Sequence, residues 1–273
     1  MEKFFSIIIV CLDPGQKLGE TLNSIKAQNF RDLEVIIKDG GSTDGSLDAI
    51  SQYDDLDIEL VEEKDSGIYD AMNRALVAAK GRYVYFLNCG DRLSDGTVLE
   101  RTASFIRSFE ETEGNKDAVF YGDIFEMTSG SAVMSNPRID EFACFRNVPC
   151  HQACFYKREL ILRHPFETQY KVRADYEQFL WCFFEAKAHT AYMGFTVADY
   201  EGNGYSESPE GRKLSDKEHA EVLSKYMSEK QIRKYRFLMG LSLAPVRRIA
   251  AKSRFFSKTY NAVKRIMYGK KKI

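Results

Sequence analysis

Several acidic side chains follow short apolar segments whose composition is typical of buried β-strands. Asp91 ends the run 82–91, Asp39 follows the run 33–38, and Asp65 follows a third run of this kind. Open α/β sheets bind their ligands at the carboxyl ends of their strands. Because carboxylate oxygens accept hydrogen bonds and ligate divalent cations, these residues are candidates for a ligand or metal site at one sheet edge.

Strand-like runs alternate with helical patterns through the first half of the chain. Leu18, Leu22 and Ile25 lie on one face of a predicted helix over 17–28, and the same apolar spacing recurs over 68–80. This βαβαβαβ order predicts an α/β fold with a mostly parallel central sheet covered by helices. Beyond this region the pattern predicts helices near 95–109, 157–163 and 175–187 and strands near 118–121 and 191–198.

The composition predicts one large domain with an appendage. Hydrophobic residues make up 44% of the 273 residues, which is enough to bury a sizeable core and excludes disorder of the whole chain. We place the boundary after residue 212, with a helical, basic extension over 213–273.

Charge is distributed unevenly along the chain. Residues 230–273 hold 14 Lys or Arg and no Asp or Glu, whereas residues 1–229 hold 25 basic and 40 acidic side chains. From about residue 244 the apolar side chains recur at helical spacing among the basic ones, which predicts a basic amphipathic helix. Such a helix can lie on an anionic membrane or pack against the acidic domain. Nucleic acid is a third alternative, but no recognised binding module accompanies the helix.

The sequence predicts neither export nor a membrane span. The first apolar run is short and is followed by Asp13-Pro14, so a core strand is a better interpretation than a signal peptide. No stretch approaches the ~20 apolar residues that a span requires. We therefore expect a cytoplasmic protein with free, buried thiols. The segment 144–154 holds three cysteines and a histidine, but their spacing lacks the two ligand pairs of a structural zinc site.

Five groups of motifs occur in order between residues 4 and 200. They are Ser6-Ile-Ile-Ile-Val10, Asp39-Gly-Gly-Ser-Thr-Asp44, Glu63-Lys-Asp-Ser-Gly-Ile-Tyr-Asp-Ala-Met-Asn73, Gly81-Arg-Tyr-Val-Tyr-Phe-Leu-Asn-Cys-Gly-Asp91, and His151-Gln152 with Ala174-Asp175-Tyr-Glu177. In type and order they resemble glycosyltransferase family 2. The resemblance implies a Rossmann-like GT-A domain over 1–212 that binds a nucleotide sugar and transfers the sugar.

The resemblance also implies which residues contact the nucleotide sugar. Asp39 matches an acid that contacts the nucleoside, and Arg74 is suited to neutralise diphosphate charge. The implied donor-binding residues are Val10, Cys11, Asp39, Asp70, Asn73, Arg74, Asn88, His151 and Gln152. For Asp39 the alternative is a turn acid that caps the next helix. For Asp70, Asn73 and Arg74 the alternative is a solvated face with an internal ion pair.

A divalent cation, Mg²⁺ or Mn²⁺, is implied at the end of the fourth strand, where it would stabilise the charge of the departing phosphate. The family motif there is Asp-x-Asp, often followed by another Asp. In this chain Asn88 and Gly90 replace two of these acids, which leaves Asp91 as the metal ligand. The alternative role for Asp91 is a cap for the predicted helix that begins near residue 95.

Inverting transfer to an alcohol needs a base that removes the proton of the attacking hydroxyl. The family places this base in an acidic pair at the start of a downstream helix, and the matching cluster contains Asp175 and Glu177. We assign Asp175 as the base and Glu177 as the reserve. The alternative is that an acid at this position only caps the helix.

These inferences predict an inverting glycosyltransferase of cell-surface polysaccharide biosynthesis. It would move a sugar, most often from a UDP donor in this family, to a saccharide or lipid-linked acceptor at the inner face of a bacterial plasma membrane. Residues 244–273 would supply the membrane contact, and no nucleic acid partner is expected. Two alternatives are a nucleotide-sugar-binding or scaffold protein that has lost turnover, and a nucleotidyltransferase. The second lacks its glycine-rich, basic signature near the first strand.

Overall fold

Four neighbouring parallel strands, rich in β-branched and aromatic residues, lie in the first half of the molecule. The structure, a computed structural model, describes residues 3–202, 204 and 208–241. The four strands are β1 (Phe5–Cys11), β2 (Leu33–Asp39), β3 (Ile58–Glu62) and β4 (Tyr83–Phe86). β1 lies between β2 and β4, and β3 pairs with the outer side of β2. All four were predicted from the sequence.

The second half of the chain extends the same sheet. Its strands are β5 (Arg92–Leu93), β6 (Ala118–Glu126), β7 (Ser131–Val133), β8 (Cys154–Lys157) and β9 (His189–Tyr200). In the described residues the order is β3-β2-β1-β4-β8-β6-β9-β5, with β7 paired to β6. Six of these nine strands run in one direction, because only β5, β7 and β8 pair antiparallel to their neighbours. The predicted mostly parallel sheet is confirmed.

Helices cover both faces of the sheet. They are α1 (Lys17–Lys26), α2 (Ile68–Ala78), α3 (Val98–Glu113), α4 (Glu141–Arg146), α5 (Arg158–Arg163), α6 (Ala174–Phe184), α7 (Pro209–Tyr226) and α8 (Glu229–Leu241). A 3-10 helix over 46–52 connects β2 to β3. The predicted helices in the first 190 residues correspond to α1, α2, α3, α5 and α6. α4 lies in the segment for which no regular element was predicted.

The hydrophobic core consists of two clusters, one on each face of the sheet. Ile8 and Val10 join the cluster under α2, α5, α6 and α7, whereas Ile7 and Ile9 join the cluster under α1 and α3. Successive side chains of a strand point to opposite faces, so a strand buried on both sides must be apolar throughout. This is the physical reason that these strands are continuous apolar runs in the sequence.

The C-terminal helices pack on the main core. Residue 212, where we placed the domain boundary, lies inside α7, and Val222 and Leu223 of that helix belong to the same cluster as Ile8. The described helix α7 therefore continues across the predicted domain boundary and packs on the core of the first domain. The predicted membrane contact through 244–273 lies outside the described residues. Within the described residues, no helix combines the length and apolar character needed to cross a membrane.

Candidate active site

A cavity of about 810 Å³ opens at the carboxyl end of β4, beside the N-termini of α2 and α6. Five of the side chains predicted from the sequence line it, namely Asn88, Asp91, His151, Gln152 and Asp175. They come from three separate parts of the chain, which the fold brings to one cavity. Of the strand-end acids Asp39, Asp65 and Asp91, only Asp91 is among the described residues that line it.

A tight turn after β4 carries the predicted metal ligand. The Asp91 N–H donates to the Asn88 carbonyl oxygen at 3.0 Å, and the Thr21 hydroxyl of α1 bonds to both the Gly90 N–H and the Asp91 carbonyl. The Asp91 carboxylate accepts from the Glu201 N–H at 2.8 Å. Among the described residues, no N–H group of α3 donates to the Asp91 carboxylate. The structure therefore does not support the alternative role of Asp91 as a cap for that helix.

The electrostatics of this turn favour a bound cation. Asp91 is only 3% exposed, and burial raises its pKa to about 7 although the Glu201 N–H bond opposes the rise. The Asn88 Oδ1 atom is buried, and the described residues give it no hydrogen-bond partner. A buried carboxylate beside an unsatisfied amide oxygen is a hard oxygen donor set of the kind that Mg²⁺ and Mn²⁺ bind. The residues present therefore fit the predicted ion.

Glu201 is a second acid at this turn that the sequence reasoning missed. Gly90 has φ +95°, and a Cβ atom built on it would collide with the Glu201 carboxylate. The Glu201 side chain therefore fills the space that an acid at position 90 would need. Its Oε2 atom lies 2.8 Å from Lys17 Nζ. The one signal in the sequence was that Glu201 comes just after the last predicted strand. Asp199 does so too, so this signal did not distinguish the two acids.

His151 and Gln152 form the floor of the cavity next to Asp91. Burial lowers the pKa of His151, which keeps the imidazole neutral, and the described residues offer neither ring nitrogen a hydrogen bond. The ring packs against Phe86 and Phe166, with centroid distances of 5.1 and 5.5 Å. An imidazole with two unsatisfied nitrogens at a cavity wall is available to a polar ligand.

Asp175 lies on the first turn of α6 and is half-buried in the cavity wall. Its Oδ1 atom is 3.0 Å from the Tyr69 hydroxyl, which is also 3.0 Å from the Val172 carbonyl oxygen. Burial and the negative charge of Asp175 raise the pKa of Tyr69 well above its ordinary value, so the hydroxyl remains a donor. Tyr69 was part of a quoted motif, but the sequence reasoning assigned it no role.

Glu177 does not belong to this site, and the geometry does not support its reserve role as a base. It is fully buried away from the described cavity wall, where it accepts from His164 Nε2 at 2.9 Å, Lys225 Nζ at 2.5 Å and the Tyr226 hydroxyl. Burial alone would raise its pKa, but these bonds hold the pKa below its ordinary value. Residues two apart on a helix differ by about 200° in direction, so Asp175 and Glu177 face opposite sides of α6.

A cluster formed by His164, Glu167 and Glu177 has the spacing of a metal site. The Lys225 ammonium lies 2.5 Å from both carboxylates and already supplies the compensating charge.

The zinc alternative over 144–154 is not supported in the described residues, where the cysteines are free. The Cys150 thiol donates to the Gln152 side chain, and the Cys154 thiol donates to the Cys150 carbonyl oxygen.

Asp39 organises a polar loop at the ends of β1 and β2. Burial would raise its pKa, but bonds from the Ser42 hydroxyl and from the Ser42 and Gly41 N–H groups outweigh burial and lower it. Cys11 also donates to this carboxylate, at 3.6 Å. Asp39 thus organises the turn itself, whereas Asp44 accepts from the Ser46 N–H at the start of the next helix. Nucleoside contact of Asp39 stays a prediction. Cys89, a free cysteine, lines the cavity wall, while Val10 packs in the core.

Asp70, Asn73 and Arg74 of α2 lie outside the described cavity wall. Arg74 pairs with Glu63 and, at 3.2 Å, with Asp70, which is the internal ion pair foreseen as the alternative. The Asn73 amide bonds with both its ends to the Phe166 main chain, at 2.8 and 2.9 Å. Because these bonds occupy the amide, the structure gives Asn73 a structural role and does not support a donor contact.

Comparison with known proteins identifies the family of this chain. The sequence model of the family described as glycosyl transferase family 2 matches residues 6–158. A relative from Mycobacterium bovis, named a PGL/p-HBAD biosynthesis glycosyltransferase, is 35% identical over 200 residues, which cover 72% of this chain and 76% of the relative.

Solved structures show the same fold at lower identity. S. aureus TarS 1–349 in complex with UDP-GlcNAc has a TM-score of 0.65 and 17% identity, covering 85% of this chain and 70% of TarS. The mannosyltransferase PcManGT from Pyrobaculum calidifontis, in complex with GDP-Man and Mn²⁺, has a TM-score of 0.57 and 16% identity, covering 99% and 89% of the two chains.

Proposed function

This chain belongs to glycosyl transferase family 2, and we propose that it is an inverting enzyme that transfers a sugar from a nucleotide diphosphate donor to a hydroxyl group of a saccharide or lipid-linked acceptor. One observation carries the proposal. A single cavity holds the oxygen-rich turn at Asp91 on one wall and the carboxylate of Asp175 on another. Transfer to an alcohol needs both, since charge develops on the leaving phosphate while the acceptor loses a proton.

The donor end of the site is the turn at 88–91. Asp91, the Asn88 amide oxygen and Glu201 would hold Mg²⁺ or Mn²⁺, which when bound supplies Lewis-acid stabilisation of diphosphate charge. The Mn²⁺ in the complex of PcManGT is consistent with this choice of ion. His151 and Gln152, beside the turn, would orient the sugar or its phosphate through hydrogen bonds. A UDP donor is in keeping with the complex of TarS.

The acceptor end is the wall that carries Asp175. Its carboxylate would take the proton of the acceptor hydroxyl as that oxygen attacks the anomeric carbon. The Tyr69 hydroxyl, at 3.0 Å, would hold one carboxylate oxygen and leave the other for the acceptor. Inverting transfer requires the base to act on the face of the sugar opposite the leaving phosphate, and the assignment of inversion to this chain rests on its resemblance to the family.

The chain between β6 and the 3-10 turn at 151–153 lines another part of the cavity with apolar side chains. They include Val133, Ile139, Val148 and Pro149. An acceptor with an apolar portion, such as a lipid-linked saccharide, would suit this wall. The mycobacterial relative, named for PGL/p-HBAD biosynthesis, is in keeping with such an acceptor.

A second candidate function is donor binding without turnover. The replacement of two family acids by Asn88 and Gly90 favours it, because fewer carboxylates weaken a metal site. The carboxylate of Glu201 at the position of the missing acid argues against it.

The decisive experiment measures binding and turnover of UDP-, GDP- and dTDP-sugars with and without Mn²⁺. We expect Asp91→Ala to abolish the effect of Mn²⁺ on donor binding. Asp175→Asn should keep donor binding and lower kcat by about 10² or more. Asp54→Asn, an exposed acid outside the cavity, is the control and should behave as the wild type. If donors bind equally with and without Mn²⁺ and neither cavity substitution matters, the transferase proposal is wrong.

A further inference from the structure

Helix α7 holds the segment that precedes α6 through one buried carboxylate. Glu218 is 4% exposed, and its Oε1 atom accepts from the Lys171 N–H at 2.7 Å. Its Oε2 atom accepts from the N–H groups of Val172 and Arg173, both at 2.9 Å. Three successive main-chain donors thus converge on one side chain that is about 45 residues away along the chain.

This arrangement compensates the buried negative charge. Successive N–H groups that point to one spot form an anion-binding concavity, and the N-terminus of a helix adds positive potential. The segment 171–173 directly precedes α6, so both contributions act on Glu218. Ser215, one turn earlier on the same face of α7, accepts from Arg173 Nε at 2.8 Å. The segment is therefore clamped by two side chains of α7.

The clamped segment belongs to the active site. Lys171, Val172 and Arg173 all line the cavity. The Val172 carbonyl oxygen lies 3.0 Å from the Tyr69 hydroxyl, whose other neighbour is Asp175 Oδ1. Any displacement of the 171–173 main chain would therefore move the oxygen that shares the Tyr69 hydroxyl with the base. It would also move the start of the helix that carries Asp175.

We propose that Glu218 is a positioning residue for glycosyl transfer, which aligns Asp175 with the acceptor by holding the 171–173 main chain. The inference rests on the proposed function of Asp175. It extends the active site to α7, which lies beyond the residues 6–158 that the family model matches. Glu218 touches neither donor nor acceptor and acts through the main chain.

Glu218→Gln tests the proposal with little change in volume. An amide keeps one acceptor oxygen but presents an NH₂ group to main-chain N–H donors, so the clamp loses one or more bonds. We expect kcat to fall by about 10-fold or more, because small displacements of a catalytic group slow chemistry strongly. The Kd of the donor with Mn²⁺ should stay within about twofold of the wild type, since Glu218 is remote from the turn at Asp91.

Two further measurements separate positioning from a merely structural role. Amide hydrogen exchange at 171–173 should accelerate in the Glu218→Gln variant, while exchange in β1 stays unchanged. A double-mutant cycle with Tyr69→Phe should be non-additive, because both side chains act on Asp175 through the same contacts. Glu221→Gln is the matched control, since Glu221 lies one turn further along α7, is exposed and pairs only loosely with Lys217 at 3.6 Å.

The donor for these assays is the UDP-, GDP- or dTDP-sugar that the wild-type enzyme uses. Turnover is measured as release of nucleotide diphosphate from that donor. If Asp175→Asn lowers kcat but Glu218→Gln does not, or if the cycle with Tyr69→Phe is additive, the positioning role is wrong while the proposed function stands. If Asp175→Asn leaves kcat unchanged, the proposed function itself fails. Should Glu218→Gln not fold, Ser215→Ala removes the milder contact of the clamp, and an unchanged kcat in that variant would then contradict the proposal.

Discussion

Individual carboxylates in this molecule differ in role because of the groups that surround them. Asp91 is buried beside an unsatisfied amide oxygen, whereas Glu177 is buried among three donors. The first environment leaves room for a cation, and the second already contains one in Lys225. Residue type therefore identifies candidates for chemistry, but the neighbours of each carboxylate decide which candidate can perform it.

The first prediction at the residue scale concerns Glu201. Glu201→Gln removes the anionic oxygen that fills the space beside Gly90, and we expect the Kd for Mn²⁺ to rise by at least about tenfold. Asp199→Asn, on β9 but outside the described cavity wall, should leave the affinity unchanged. Calorimetric titration of Mn²⁺ into the protein with the donor nucleotide measures both. Equal affinities of the wild type and Glu201→Gln would remove Glu201 from the metal site.

A second prediction concerns His219, whose ring stacks on Tyr176 with a centroid distance of 4.8 Å. Burial and the nearby Arg173 lower the pKa of His219 from 6.5 to about 4. The unfolded chain therefore binds a proton between these pH values that the folded protein excludes. The free energy of unfolding should be fully retained above pH 6.5 and fall as the pH drops toward 4.

The loss is at most about 1.4 kcal/mol per pH unit, and partial exposure of the ring reduces it. His219→Phe keeps an aromatic ring against Tyr176 but does not titrate. Urea unfolding at a series of pH values should show a shallower slope for this variant between pH 6.5 and 4. The same slope for both proteins would mean that His219 is not the group responsible.

At the scale of elements, α2 and the segment before α6 meet through Asn73, which the sequence reasoning took for a donor contact, and through Tyr69, to which it assigned no role. Asn73 joins α2 to the Phe166 main chain, and Tyr69, one turn earlier, joins it to Val172 and Asp175. The motif that contains both residues thus contributes to the cavity mainly by fixing the position of α6.

We predict that Asn73→Leu destabilises the fold. It leaves the buried Phe166 N–H and carbonyl groups without partners, which costs about 1–3 kcal/mol for each group. The control is Arg74→Gln, whose exposed ion pairs should contribute less than about 1 kcal/mol. Chemical unfolding monitored by fluorescence measures both variants. A stability of Asn73→Leu equal to that of the control would show that the amide bonds are dispensable.

At the scale of the whole molecule, α7 completes both the core and the cavity. Leu223 packs in the same cluster as the central strands, and Glu218 on the same helix holds the cavity wall. The sequence reasoning predicted an extension over 213–273, but α7, most of which lies in that range, packs on the main core.

We predict that Leu223→Ala lowers the free energy of unfolding by about 2–5 kcal/mol, because it leaves a cavity in the main core. The change should shift one transition that includes the central sheet. Val77→Ala, at a side chain that is 81% exposed, should change the stability by less than about 0.5 kcal/mol. Calorimetry distinguishes the outcomes, because an independent C-terminal unit would instead unfold in a separate transition.

Local patterns in the sequence were sufficient for the α/β alternation, the parallel strands and the turn at Asp91. Apolar runs bounded by glycine and acids have few other ways to bury their side chains while pairing their main chain. The resemblance to the family, carried by short motifs in their order along the chain, indicated Asn88, His151, Gln152 and Asp175, all of which line the cavity. These features depend on residues close together in the chain, and so they can be predicted from it.

Only the tertiary structure decided the roles of Glu201, Tyr69, Glu177 and Glu218. Glu201 approaches Asp91 from 110 residues away, Tyr69 approaches Asp175 from 106, and Glu218 approaches Val172 from 46. The free energy of a carboxylate depends on the donors and charges within a few ångströms of it. Those neighbours come from distant parts of the chain that meet only after folding, so spacing along the sequence could not distinguish the surroundings of Asp175 from those of Glu177.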